Sequence, residues 1–82
     1  MSSATVDGKI NAIDTDARVL NISRGSIEKW NRGPATMDFL IADDVAIDGF
    51  KEADEVTFTF EVRDDLVITK ISLRRSVNTD SK

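Results

Sequence analysis

The chain contains no histidine, no cysteine and no tyrosine among its 82 residues, and only one proline and one tryptophan. Without a thiol there is no disulfide to staple the fold, so stability must come from packing and strand pairing; the compartment stays open, because exported domains also fold without bridges. Without His, Cys or Tyr a nucleophile would have to be a serine activated by lysine or a carboxylate. No such constellation is visible, and the chain is expected not to be an enzyme. No apolar run reaches the roughly 18 residues of a membrane span, so no membrane insertion is expected of this domain. The opening Met1-Ser2-Ser3-Ala4-Thr5 is not a charged-then-apolar secretory signal. The chain therefore reads either as a cytoplasmic protein or as a mature or excised piece of an exported one, with Met1 then an expression artefact.

What is present is a chain of one-domain size, 40% hydrophobic. A chain this short buries only about 60–65% of the surface that its unfolded form exposes, which suits a compact barrel better than a layered enzyme. The formal charge of −4 repels a phosphate backbone overall, so nucleic acid is not the expected partner.

Alternation of apolar and polar residues marks the strands. Val6, Gly8, Ile10 and Ala12 alternate with Asp7, Lys9 and Asn11, a period of two that buries one face. Asp14-Thr15-Asp16-Ala17 reads as a turn, and Arg18 to Ser23 as a second strand closing a hairpin. Two glycines and Pro34 make 25–34 a loop. Thr36 to Ile41 follows as a third strand, with Met37, Phe39 and Ile41 on one face. Residues 42–54 break the alternation and read as a connection with one helical turn, whose Val45, Ile47 and Phe50 plug one end of the core. Val56 to Arg63 is the clearest strand, strictly alternating and rich in β-formers; Val56, Phe58, Phe60 and Val62 should face inward with Ile10, Leu20 or Ile22, Phe39 and Ile71. Asp64-Asp65 turns into a last strand over Leu66 to Leu73.

Five short strands with one long connection between the third and fourth predict an all-β fold, a small five-stranded OB-type Greek-key barrel, since closure removes exposed edges. An SH3-like barrel fits the same pattern. The expected boundaries are a disordered tail over 1–4, the barrel over 5–73 and a disordered tail over 74–82.

Chemistry concentrates in the loop. Trp30 is the only tryptophan and Met37 the only methionine apart from Met1. Met37 shares a face with Phe39 and Ile41, so core packing accounts for it as well as any ligand role does. Trp30 reads as an indole lid over the barrel end, as a partner contact or as a cap on an ion. Arg24, Lys29 and Arg32 around it form a basic-aromatic cluster of the kind that stacks bases in OB barrels, although no second aromatic lies near. Asp43, Asp44 and Asp48 lack the alternating pattern and terminal Glu of a calcium loop and read as solvated turn residues.

Gly8-Lys9-Ile10-Asn11-Ala12-Ile13-Asp14, Leu20-Asn21-Ile22-Ser23, Thr36-Met37-Asp38-Phe39 and Asp54-Glu55-Val56-Thr57-Phe58-Thr59-Phe60 together resemble the CusF-like family over roughly residues 6–73. The resemblance implies an OB-type barrel and a periplasmic location. It also implies copper(I) or silver(I) binding, either as a free-standing protein or as the C-terminal domain of an RND heavy-metal efflux adaptor, with the other subunits of that efflux system as partners. That family holds its ion with a histidine at the end of the second strand, a capping tryptophan and the two methionines of Trp-Pro-x-Met-Thr-Met. Laid on this sequence without gaps, these positions fall on Arg24, Arg32, Ala35 and Met37, so only Met37 keeps its donor, while Trp30 lies two residues before the tryptophan position. A soft monovalent ion needs sulfur or imidazole donors. The implied metal residues are therefore Met37 and Trp30, with weakened or altered binding of Cu(I) or Ag(I) and no cofactor required. Arg24, Lys29, Trp30 and Arg32 are the candidate partner-binding residues of the alternative, a metal-free interaction module docking through the Trp30 loop. In either case the guanidinium of Arg24 or Arg32 is expected against the Trp30 ring, as a built-in cation.

Overall fold

β1 (Ser2–Asp14), β2 (Val19–Arg24), β3 (Ala35–Ile41), β4 (Glu55–Val62) and β5 (Leu66–Leu73) close into a barrel in the order β1-β2-β3-β5-β4. These strands belong to a computed structural model that describes residues 2–74. Four of the five contacts are antiparallel; β3 and β5 run parallel. This is the OB-type arrangement expected from the strand pattern.

The barrel closes because β1 serves two ladders. Ser2 to Lys9 pairs with β4, and Gly8 to Asp14 pairs with β2, with a register shift between Ile10 and Ala12 that bends the strand from one ladder into the other. Gly8 sits where both ladders meet. A Cβ there would lie 2.6 Å from Ile22 Cγ2 and 2.9 Å from the Ser23 carbonyl oxygen, so the close approach of β1 to β2 needs a glycine.

Inside, Phe39, Phe58 and Phe60 stand edge-on or tilted to one another, with centroids 5.0 to 5.9 Å apart. Ile10, Leu20, Ile22, Val56 and Ile68 complete the fully buried set. Leu20 and Ile22 are both inside. Of the residues expected inside, Val62 is not, and Ile71 only packs against the core from its margin. Val62 is 40% exposed, because it pairs with Ser2 and Leu66 at the barrel mouth, where the core ends. Ile71 is only half-buried: β3 pairs with β5 no further than Ile68, so the rest of β5 has a neighbour on one side only. Ile68 is the residue of β5 that packs at the centre.

The expected N-terminal tail is strand instead. Ser2, Ser3 and Ala4 pair with Val62, Glu61 and Phe60, and Ala4 is buried; two serines conceal a segment that β4 templates. At the other end Arg74 still belongs to the barrel. Its N–H donates to the Glu55 carbonyl oxygen at 2.8 Å, and its side chain reaches Asp7 and Glu55. The remainder of the expected C-terminal tail, 75–82, lies outside the described residues.

The 42–54 connection contains turns and no helix. Ile47 is buried, and Val45 and Phe50 pack against the core. Arg18, at the far end of β2 with φ 56°, donates from Nη2 to the carbonyl oxygens of Ala42 and Val45 at 2.8 and 2.7 Å and so holds the start of the connection. Its end is tied by Ala53 N–H to the Ile10 carbonyl (2.8 Å) and Ile10 N–H to the Asp54 carbonyl (2.9 Å), which places Ala53 at φ 77°.

Two outcomes follow for unfolding by urea. Phe58→Ala should cost about 3–5 kcal/mol, whereas Val62→Ala should stay within about 0.5 kcal/mol. Ala53→Gly should be neutral or stabilising by up to about 1 kcal/mol, since relief of about 1–2 kcal/mol of left-handed strain outweighs the entropic cost of a glycine; a clear loss of stability would show that Ala53 is unstrained.

Candidate functional site

The loop between β2 and β3 is built to carry an indole. Ile27 is its one buried residue and anchors it to the core. Ile27 and Arg32 exchange both backbone hydrogen bonds, at 2.9 and 3.0 Å, which closes the loop into a small ring. Within that ring Glu28–Trp30 form one 3₁₀ turn, and Asn31 at φ 56° reverses the chain, a conformation that asparagine tolerates better than most residues. Trp30 is thereby laid over the barrel end, its ring T-shaped on Phe60 at 5.9 Å and 80°. It is a lid on the core, half-buried.

Arg24 ends β2 and is 8% exposed, the one charged residue of the buried set. Its Nε donates to Met37 Sδ at 3.3 Å. Nη1 donates to the carbonyl oxygens of Gly25 at 3.0 Å and Gly33 at 2.9 Å. One planar guanidinium thus pins both ends of the loop and the thioether of β3, a fork that a single ammonium could not reproduce. All three acceptors are neutral. Met37 packs against the core as well, so it serves both the core and the site.

The expected stacking of Arg24 or Arg32 on Trp30 is not what the structure shows. Among the described residues the cation over the indole is Lys29, with Nζ 5.4 Å from the ring centroid and donating to the Ser3 carbonyl oxygen at 2.5 Å. Arg24 is drawn away by its carbonyl acceptors, because a buried guanidinium gains more from hydrogen bonds than from an aromatic face. The expectation of a guanidinium on the indole is therefore overturned; the guanidinium of Arg24 lies against the sulfur of Met37 instead.

Four of the five candidate site residues converge. Arg24, Trp30, Arg32 and Met37 line one open cleft of about 270 Å³, whose other walls are Ile27, Phe60, Val62 and Leu66; Lys29 buttresses the indole from outside. The walls were missed, though Ile27 signalled itself as the only aliphatic residue of a polar loop. Val62 and Leu66 come together only through the β4–β5 hairpin. Among the described residues no three His, Cys, Asp or Glu side chains are grouped so as to hold a metal ion, and Asp43, Asp44 and Asp48 stay on exposed turns.

The fold and the site together define an OB-type barrel domain with a thioether and an indole lining one cleft at one end. A family model described as "Copper binding periplasmic protein CusF" matches residues 3–73, and the chain belongs to that family. Among solved structures it is similar to apo-CusF residues 6–88 from Escherichia coli (TM-score 0.81, 21% identity, covering 90% of this chain and 89% of that one). It is similar also to CusF-Ag(I) residues 10–88 from Escherichia coli (0.81, 21%, 90% and 94%). The C-terminal domain of SilB from Cupriavidus metallidurans is matched from end to end (0.78, 21%, 100% and 99%). At such identities the likeness is one of fold. No curated protein sequence matches the chain.

Arg24→Ala should destabilise the domain by about 1–3 kcal/mol, since it strips the Gly25 and Gly33 carbonyls of their donor, and Arg24→Lys should recover only part of this. Because the acceptors carry no charge, the loss measured by urea unfolding should be the same in low and molar salt; a strong salt dependence would point to an ionic partner instead.

Proposed function

We propose that this chain is a periplasmic domain of a heavy-metal efflux system, the C-terminal domain of an RND adaptor, in which binding of copper(I) or silver(I) is weakened because the chain's own guanidinium stands at the cation position. Membership in a family of periplasmic copper-binding proteins supports the first part, and the match along the whole length of the C-terminal domain of SilB supports reading the chain as the C-terminal domain of a larger protein. The observation that carries the second part is the Arg24 Nε–Met37 Sδ contact of 3.3 Å. It engages the one thioether of the site with a permanent cation.

The donor set does not fit a soft monovalent ion. Met37 offers a single sulfur, no imidazole is present, and Trp30 faces Lys29 on one side and Phe60 on another. A second unit charge about 4 Å from the guanidinium meets roughly 4 kcal/mol of repulsion at an effective dielectric near 20, close to a thousandfold in affinity. The metal, if met at all, is weakly held cargo.

Silver(I) titration followed by Trp30 fluorescence and by the Met37 methyl resonance tests this. The natural sequence should show no tight stoichiometric binding. Arg24→His, which removes the charge and restores an imidazole, should raise affinity by about a thousandfold, with the Met37 methyl shifting on binding. Tight binding by the unmodified chain that moves Met37 and Trp30 together would overturn the assignment.

A further inference from the structure

The ladder that closes the barrel is short, and part of the β3 edge forms a seam without a ladder partner. The β3–β5 ladder consists of Leu40↔Val67 and Ile41↔Ile68 alone. Ile41 N–H donates to the Arg18 carbonyl on the β2 side at 3.0 Å, and Ala42 N–H to the Ile68 carbonyl on the β5 side at 2.9 Å. Backbone direction alternates along a strand, so odd-numbered residues of β3 bond toward β2 and even-numbered ones toward β5. Thr36 and Asp38 therefore turn their N–H and C=O groups away from β2, where neither has a ladder partner among the described residues.

Across from this edge stands the β4–β5 hairpin. Two clefts run between them and share Val62 and Leu66: one of about 370 Å³ beside Asp38 and the hairpin tip, and the cleft of about 270 Å³ at Arg24 and Met37. Their common floor is apolar, and Leu40 and Val62, at 37% and 40% exposed, flank it. The two ends differ in charge. Arg24 and Arg32 line one end with no carboxylate among the lining residues; Asp38, Asp64 and Asp65 line the other, where Arg63 is engaged by Glu61. Neither Arg24 nor Arg32 has an ion-pair partner among the described residues. Arg24 Nε and Nη1 are engaged, whereas Nη2 has no acceptor among the described residues and is not among the fully buried polar atoms left without one, so it keeps a donor that is not sealed off.

We propose that this seam receives an extended segment of a partner polypeptide, added as a strand along the free edge of β3, with a carboxylate side chain at Arg24 and Arg32 and a basic side chain at the Asp38 end. Backbone bonds to Thr36 and Asp38 supply the register, alternate apolar side chains settle against Val62, Leu66 and Met37, and the charged ends fix the direction. The site goes beyond the efflux assignment: it needs no metal, and it is tested with metal excluded.

The probe is a capped hexapeptide, glutamate-threonine-valine-threonine-valine-lysine, whose alternation puts the glutamate and both valines on the face of Arg24 and Met37 and the lysine on the face of Asp38, titrated into ¹⁵N-labelled protein in the presence of a chelator. The amides of Thr36 and Asp38 and the Trp30 indole N–H should shift together. Replacing the peptide's glutamate by glutamine should weaken binding about tenfold, the worth of one charged hydrogen bond. Arg32→Gln, a change on the exposed rim, should weaken it several-fold without altering the unbound spectrum elsewhere. Asp38→Pro removes an N–H that the β2–β3 ladder does not use and should abolish binding. Equal binding by Asp38→Pro, or a peptide indifferent to both charge changes, would overturn the proposal. So would sodium acetate alone reproducing the Trp30 shift with the Thr36 and Asp38 amides unmoved, which would make the cleft a site for small anions, and so would the absence of any shift at millimolar peptide.

Discussion

A guanidinium buried without a counter-charge is the constraint around which this end of the barrel is built. Desolvating an ion costs several kcal/mol unless its donors are satisfied, and Arg24 meets that cost with one sulfur and two carbonyl oxygens. Those acceptors come from both ends of the 25–34 loop and from β3. Satisfying one side chain therefore fixes the loop's entry, its exit and the Met37 rotamer at once. The 3₁₀ turn that holds Trp30 hangs between the two pinned points, and the indole's seat on Phe60 depends on it.

The same arrangement explains how the site could change its chemistry while the barrel stayed intact. The three phenylalanines that fill the core are fully or almost fully buried and pack on one another; only Phe60 also meets the loop, through Trp30. Met37 and Trp30 only abut that cluster. On the proposed reading, an ion at this end would add to a core that is already complete, so Arg24 can stand there and still leave the loop organised.

The strands that were legible in the sequence are those whose two faces see different surroundings along their whole length. β4 has Val56, Phe58 and Phe60 inside and Thr57, Thr59 and Glu61 half-buried or outside, and alternation shows this directly. Val62 continues the alternation yet lies past the end of the core, since period says which face a residue takes but not how far the interior extends. The first residues of β1 failed for the opposite reason: Ser2 and Ser3 carry no apolar signal and are strand because β4 offers them a ladder. At the site, residue types identified the participants, Arg24, Trp30, Arg32 and Met37, but not their contacts. Whether Arg24 would stack on an indole or bond to carbonyls depends on where the backbone of Gly25 and Gly33 points, and glycine side chains say nothing of that. The walls from the β4–β5 hairpin were illegible because they approach only when the barrel closes.

An open strand edge is ordinarily a hazard, because it templates pairing with another copy of the same chain. Here the charge pattern separates self from partner. Two copies meeting edge to edge through β3 in antiparallel fashion about Met37 would set the Arg24 end of each against the acidic end of the other, which alone would attract. Such a dimer must also bring two hairpin tips, each with Asp64 and Asp65, into the space that a single strand would take, and the chain carries a formal charge of −4. A slender extended segment avoids both penalties. The hairpin tip beside the free part of the β3 edge, with its two aspartates, therefore favours one added strand over a second barrel.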